Sequence, residues 1–297
     1  MPIRFCKSGL DFNGQIQHLQ SRGLIIQDQA YALQVLEHVS FYRLRGYYIH
    51  WYDRATKKFH PGITFEAIVQ LHQFDMELSS LILDISSHIE IALRSYLANE
   101  LALYIDTNGT LCGHAMGYLD FSFFDDPNQF MENSGSIVRE IQRSNEVFIA
   151  HNKSICQDNV PVWAAVEIMS FGTLSKLFSS LDRNVKLSIT RKYYRRGSYC
   201  QWVESWLHAI TLIRNMCAHR SRLYNRMTVA RPIVLFKDRS PGIKPETIYA
   251  AFLAMHYLTE YIPNCRWKDR LKVLFSRYAN VIDIRLLGFP ADWEQHL

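Results

Sequence analysis

Between Thr64 and Leu97 the residues Ile68, Leu71, Phe74, Leu78, Leu81, Ile82, Ile85, Ile89, Leu93 and Leu97 recur at spacings of three and four. That is the period of one buried face on an α-helix, and Thr64 stands where an N-cap belongs. A helix of this length exposes a long apolar stripe, and other elements must cover it. The covering elements are predicted to be helices, because 13 Gly and 9 Pro in 297 residues leave little turn material for the many reversals of a β-protein. With 48% hydrophobic and 21% charged residues the chain has a core to bury and no disordered composition. The long apolar window from Ser79 to Ile105 is broken by Asp84, Glu90 and Arg94, so it does not read as a membrane span. The expected class is all-α.

The rest of the chain reads in the same way. Asp28 caps a stripe through Tyr31, Leu33, Val35, Leu36 and Val39, which runs into the aromatic stretch Phe41 to Trp51 and a polar turn from Asp53 to Pro61. Residues Asn108 to Pro127 look irregular, and helical pattern resumes from Ser134 to Ile149. Pro161 suits a first helical turn, with Gly172 as the expected stop. Leu174–Leu181, Val185–Tyr194, Tyr199–Asn225, Pro245–Tyr261 and Trp267–Tyr278 are the remaining predicted helices. No repeat and no Ser/Gly linker divides the chain; residues 1–58 read as an N-terminal helical region continuous with a helical domain over 59–297.

Charge is unevenly placed. From Arg183 to Arg239 thirteen Lys/Arg stand against Glu204 and Asp238 alone, so the net +5 of the chain conceals an acidic remainder. One concentrated basic stretch suits a polyanion such as RNA. Six cysteines form no C-x-x-C pair, which argues against a zinc ribbon or a disulfide framework and fits a reducing cytoplasm. The opening Met-Pro-Ile-Arg-Phe-Cys-Lys carries no apolar run of the secretory kind. His and carboxylates do not cluster at metal-ligand spacings and no Gly-rich phosphate loop is present, so no metal and no cofactor are expected.

Inside the basic stretch lies Arg214-Asn-Met-Cys-Ala-His219. Asn215 and His219 share a helix face, and the long Arg214 side chain reaches round to them. Arg, amide and imidazole together suit one phosphate: a His titrating near neutrality moves the proton of a ribose 2′-OH, and a guanidinium clamps the phosphoryl oxygens as charge builds. The extended string Ser205-Trp-Leu-His and Leu212-Ile-Arg-Asn-Met-Cys-Ala-His-Arg-Ser-Arg-Leu-Tyr-Asn-Arg226 resembles the HEPN signature of the Abi-like abortive-infection proteins of the AbiD and AbiF group. Val39-Ser-Phe-Tyr-Arg-Leu-Arg-Gly-Tyr47, Phe59, Gly62, Thr64-Phe65, Phe74-Asp75, Glu90-Ile-Ala-Leu-Arg94, Val160-Pro-Val-Trp163, Ser170-Phe-Gly-Thr-Leu-Ser175 and Gly288-Phe-Pro-Ala-Asp-Trp293 match in the same order. The resemblance implies a HEPN-like helical bundle with an N-terminal helical extension and irregular insertions. It also implies metal-independent endoribonuclease chemistry, with Arg214 and His219 as the catalytic pair and Asn215 as their polar companion. A Tyr adenylylated in some related toxins is replaced here by Ser221, with Tyr224 nearby; the restraining partner is then a small RNA or a protein antitoxin.

Supporting roles fall to Glu90 and Arg94, an i,i+4 pair on the long helix, and to His208, eleven residues before His219 and 20° off its face. Arg191-Lys-Tyr-Tyr-Arg-Arg196 interleaves cations with rings, a composition suited to single-stranded RNA, so Arg191, Lys192, Arg195, Arg196, Arg220 and Arg222 are the expected RNA contacts. Two proton carriers are needed for cleavage by the 2′-OH route, yet His208 lies about 16 Å from His219 along a helix. A homodimer that pairs two Arg214 helices, with Trp202 or Trp206 flanking the interface, would supply the second imidazole. Two functions fit: an RNA-cleaving toxin of antiphage defence, and a non-catalytic RNA-binding or scaffold protein.

Overall fold

The computed structural model describes residues 9–195, 200–235, 238 and 243–297. Among them the helices run α1 (Phe12–Ser21), α2 (Gln29–His38), α3 (Phe41–Tyr48), α4 (Phe65–Leu103), α5 (Pro127–Arg143), α6 (Val147–Ile155), α7 (Val162–Ile168), α8 (Phe171–Ser180), α9 (Arg183–Tyr193), α10 (Cys200–Ala218), α11 (Ile248–Thr259) and α12 (Trp267–Arg277). Tyr52–Asp53 (β1) and Lys58–Phe59 (β2) form a short antiparallel hairpin, with Tyr52 opposite Phe59. The protein is therefore all-α. No described helix is long and apolar enough to cross a membrane.

Everything is arranged around α4, 39 residues and about 58 Å long. Thr64 caps it by accepting from the Ala67 N–H at 3.1 Å, and its stripe from Ile68 to Leu101 is buried. Helices α3, α7, α8, α9, α10, α11 and α12 all pack on it. One cluster of buried apolar side chains extends from Ile16 to Leu297 and includes the closing segment, where Phe289 meets Tyr249, Phe252, Phe275 and Trp293. Short polar side chains start the helices as the sequence leads one to expect: Asp28 accepts from Tyr31 N–H, Ser40 from Arg43 N–H and Thr247 from Ala250 N–H.

Several boundaries differ from the sequence reading: α1 lies where no helix is predicted, and α5 starts at Pro127 rather than at Ser134. The predicted helix over 134–149 is two helices, α5 and α6, parted at Ser144–Glu146. Gly172 does not stop a helix; it lies in the first turn of α8. The break falls at Met169–Ser170, because Ser170 turns to cap α8 and Glu140 of α5 accepts from both the Ser170 N–H (3.0 Å) and the Thr173 hydroxyl (2.6 Å). The helix expected to reach Asn225 ends at Ala218, for reasons that belong to the site.

Gly288 illustrates how tightly the closing segment is fitted. Its φ is +88°, a region that L side chains rarely adopt, and an added Cβ would lie 2.4 Å from Cβ of Thr247, the residue that caps α11. Gly288→Ala should lower unfolding free energy by at least about 2 kcal/mol, read as a fall in the urea midpoint, because it combines left-handed strain with overpacking. An unchanged midpoint would mean that the closing segment is not docked as described.

Candidate functional site

The site is built at the C-terminal end of α10. This helix buries Val203, Trp206, Leu207, Ile210, Ile213 and Cys217 against α4, α8, α9 and α11, and leaves Gln201, His208, Asn215 and His219 exposed along the other side. Helical spacing holds to the end, since the His219 N–H donates to the Asn215 carbonyl at 3.1 Å. Arg214 is half-buried and swings toward its neighbour, donating from Nη1 to Asn215 Oδ1 at 3.3 Å. Arg214 and Asn215 are thus in contact, and His219 is presented to solvent one turn further on.

The helix stops in a Schellman turn, in which the Ser221 N–H returns to the Met216 carbonyl and the Arg220 N–H to the Cys217 carbonyl. Position 220 has φ +50°. Glycine is the usual residue there, and an Arg is held in that conformation only by ties elsewhere. Those ties exist: Arg220 Nη1 donates to the Met76 carbonyl (3.2 Å) and to Ser80 Oγ (3.0 Å) on α4, and Arg43 Nη2 of α3 donates to the Arg220 carbonyl. The helix expected to continue through Leu223 therefore gives way to a pinned loop.

Asp75 of α4 is the pin. Only 2% exposed, its carboxylate accepts from the Leu223 N–H (3.0 Å), the Tyr224 N–H (2.8 Å) and the Tyr47 hydroxyl (2.9 Å). Burial raises the Asp75 carboxyl above the usual range, while these hydrogen bonds and the nearby Arg222 pull the other way. Burial beside Asp75 likewise raises the Tyr47 phenol, so it remains a donor. Arg222 lies across Gly46, where a Cβ would come within 3.1 Å of its Cδ and Nε, and it donates to the Tyr224 (2.8 Å) and Asn225 (3.1 Å) carbonyls. Tyr224 is buried, and its oxygen accepts from the Asp283 N–H at 2.8 Å.

The residues singled out from sequence are distributed as follows. Arg220 and Arg222 engage carbonyls and a hydroxyl of this chain. Arg94 donates to Glu90 Oε1 (2.6 Å) and to the Val166 and Met169 carbonyls (2.9 Å each), so the pair ties the end of α7 to α4. His208 is exposed, whereas Trp206 is interior, stacked on Tyr257 and donating to the Ile233 carbonyl. Trp206 therefore does not flank a surface. Arg191 and Lys192 are exposed, with Lys192 3.4 Å from Glu100; Arg195 is exposed and stands 4.6 Å from the Tyr261 ring centre. Arg196 lies outside the described residues. Tyr193 and Tyr194 pack inward on Tyr96.

Sequence reasoning missed the roles of Asp75, Arg43 and Tyr47. A signal existed for the first: Asp75 is a lone acid on the stripe between Leu71 and Leu78. A carboxylate on a buried face must have partners elsewhere in the chain.

Removing the Asp75 carboxylate leaves three buried donors without an acceptor, so Asp75→Ala should cost about 3 kcal/mol or more in urea unfolding, and Tyr47→Phe only about 1. Equal effects would refute this hierarchy. His72 supplies a pH test. Its Nε2 accepts from Arg43 Nε at 3.2 Å, and burial, with Arg43 beside it, lowers its pKa from the usual value. The unfolded chain then binds the extra proton first, so this contribution is intact above the ordinary His pKa of about 6.5 and is lost as pH falls toward the lower folded value. Melting temperature should fall between pH 7.5 and 5.5, with a shallower slope in His72→Gln.

Residues 34–225 match the family model described as Abi-like protein, a span that holds α3, α4, Asp75 and the whole of α10 with its loop. No curated protein and no solved structure matches the chain.

Proposed function

The chain belongs to the Abi-like protein family, and from that membership and the chemistry at the end of α10 we propose that it is a metal-independent endoribonuclease of the HEPN type, a cytoplasmic RNA-cleaving toxin of bacterial antiphage abortive infection. The observation that carries the reading is the joint presentation of Arg214, Asn215 and His219 on a helix end locked from behind by Asp75, Arg43 and Arg220. Catalytic groups are useful when fixed, because positioning that is already in place does not have to be achieved in the transition state.

In the proposed reaction the ribose 2′-oxygen attacks the adjacent phosphorus. A neutral His219 imidazole takes the 2′-OH proton, the bond from 2′-oxygen to phosphorus forms, and the bond to the 5′-oxygen breaks as that oxygen receives a proton. The products are a 2′,3′-cyclic phosphate and a 5′-hydroxyl. The Arg214 guanidinium stabilises the charge that builds on the non-bridging oxygens, and Asn215 orients it. The second proton carrier is His219 of a second copy, paired across the exposed side of α10 in a homodimer. Arg191, Lys192, Arg195 and Arg196 gather the RNA, with Arg220 and Arg222 contributing the field of their fixed charges. A small RNA or a protein antitoxin would restrain such an enzyme.

The test is cleavage of end-labelled RNA by purified protein in EDTA. His219→Ala and Arg214→Ala should each slow cleavage by roughly 10²-fold or more while circular dichroism stays unchanged. Mixing the two variants should restore part of the activity, since the dimer shares its groups. RNA binding without new products in the wild-type protein would remove the catalytic assignment and leave an RNA-binding role.

A further inference from the structure

A concave site lies on the side of α3 opposite the loop that follows α10. It has a volume of about 690 Å³, and its walls come from α1, α3 and the β-hairpin. Among the described residues four cations line it, Arg22, Arg45, Arg54 and Lys57, and no Asp or Glu does. The acid on the hairpin, Asp53, is engaged in its own turn, accepting from the Ala55 N–H and the Thr56 hydroxyl at 2.8 Å each. Arg45, Arg54 and Lys57 are exposed and have no carboxylate partner among the described residues.

Such a grouping sets a positive potential over the concavity that attracts an anion. Like charges converging on one concavity repel, and a fold tolerates this where an anion is to be held. Lys57 adds a second sign of construction: its φ is +59°, an uncommon backbone for a residue with a long side chain, at the tip of the hairpin that walls the site. Phosphate is the anion whose oxygens suit several guanidiniums at once. Phe41, Tyr48 and Tyr52 add aromatic rings to the lining, beside Leu10, His18 and Ile49, and Arg22 is fixed in place by donating to the Tyr52 hydroxyl. Cations beside rings match a ligand that carries both a phosphate chain and a flat heterocycle. The volume falls within the roughly 300–1,000 Å³ typical of small-molecule sites.

We propose that this pocket binds a nucleoside polyphosphate, its phosphates on Arg45, Arg54 and Lys57 and its base on the aromatic wall.

The position of the pocket gives such a ligand a consequence. At 100° per residue, Arg43, Gly46 and Tyr47 lie on one side of α3, and there they hold the Arg220 carbonyl, the Arg222 side chain and Asp75. Phe41, Arg45 and Tyr48 lie on the other side and face the pocket. A ligand in the pocket and the loop after His219 therefore grip the same eight-residue helix from opposite sides.

The proposal is tested by isothermal titration of the full chain with ATP and GTP, separately from any RNA cleavage. Saturable binding of one nucleotide per chain is expected, weakened tenfold or more in Arg45→Glu/Arg54→Glu. Both side chains are exposed and make no hydrogen bond or ion pair among the described residues, so the variant should keep the wild-type melting temperature. Arg191→Glu, on the other basic surface, should change affinity by less than about twofold. Three results would each overturn the proposal: no saturable binding at about 5 mM nucleotide, equal affinity in the Arg45→Glu/Arg54→Glu chain, or inorganic triphosphate binding as tightly as the nucleotides. Binding of RNA oligomers alone, with no mononucleotide bound, would assign the pocket to a strand instead.

Discussion

A carboxylate on the buried stripe of a helix destabilises the fold by several kcal/mol unless its lone pairs are met. Asp75 stands in that position on α4, and none of its partners is local. One comes from α3, through Tyr47, and two come from the backbone of Leu223 and Tyr224, almost 150 residues further along the chain. The requirement therefore couples three parts of the protein: the central helix is not satisfied until the N-terminal helices and the loop after α10 have both docked. It also sets the loop's register against α4, because the carboxylate holds two consecutive N–H groups, those of Leu223 and Tyr224. That register decides where the end of α10 points, and so where Arg214, Asn215 and His219 are shown to solvent.

The left-handed turn at Arg220 follows from the same constraint. Glycine would make this turn with less strain, by roughly 1–2 kcal/mol, but glycine has no side chain to reach α4. Arg220 accepts an unfavourable backbone and returns two hydrogen bonds, to Met76 and Ser80, while Arg43 holds its carbonyl from the opposite helix. Cations gathered at a helix C-terminus also oppose the partial negative charge of its last carbonyls. Arg220's own side chain and Arg43 thus keep the residue after His219 still, in a place where fraying is ordinarily easiest.

Helix-forming patterns were legible because they are local. The stripe from Ile68 to Leu97, the caps at Asp28 and Thr64 and the starts of α9 and α12 needed nothing beyond spacing and side-chain type. Helix ends were less legible where distant groups decide them. Ser170 caps α8 with help from Glu140 on another helix, so the proximity of Gly172 misled. The stop at Ala218 depends on Asp75 and Arg43, which no window around residue 218 contains. The order of Arg214, Asn215 and His219 along one helix was readable, and the supports behind them were not, since Asp75 to Leu223 and Tyr224, Arg43 to Arg220 and Arg220 to Met76 each pair residues more than a hundred positions apart.

The basic stretch shows why a segment's charge is not the charge of a surface. Thirteen Lys/Arg lie between Arg183 and Arg239, yet many are bound to groups of the chain itself. Lys186 reaches the Ser179 carbonyl and Glu204, Arg231 faces Glu246, Lys192 meets Glu100, and Arg220 and Arg222 are held by carbonyls. A guanidinium whose donors are already committed still contributes its long-range field, but it cannot close on a phosphate without giving up bonds that fix the loop. The half-buried arginines Arg214, Arg220 and Arg222 shape the potential around the end of α10, whereas Arg191 on α9 and Arg45, Arg54 and Lys57 on the far side of α3 are exposed and have donors to offer.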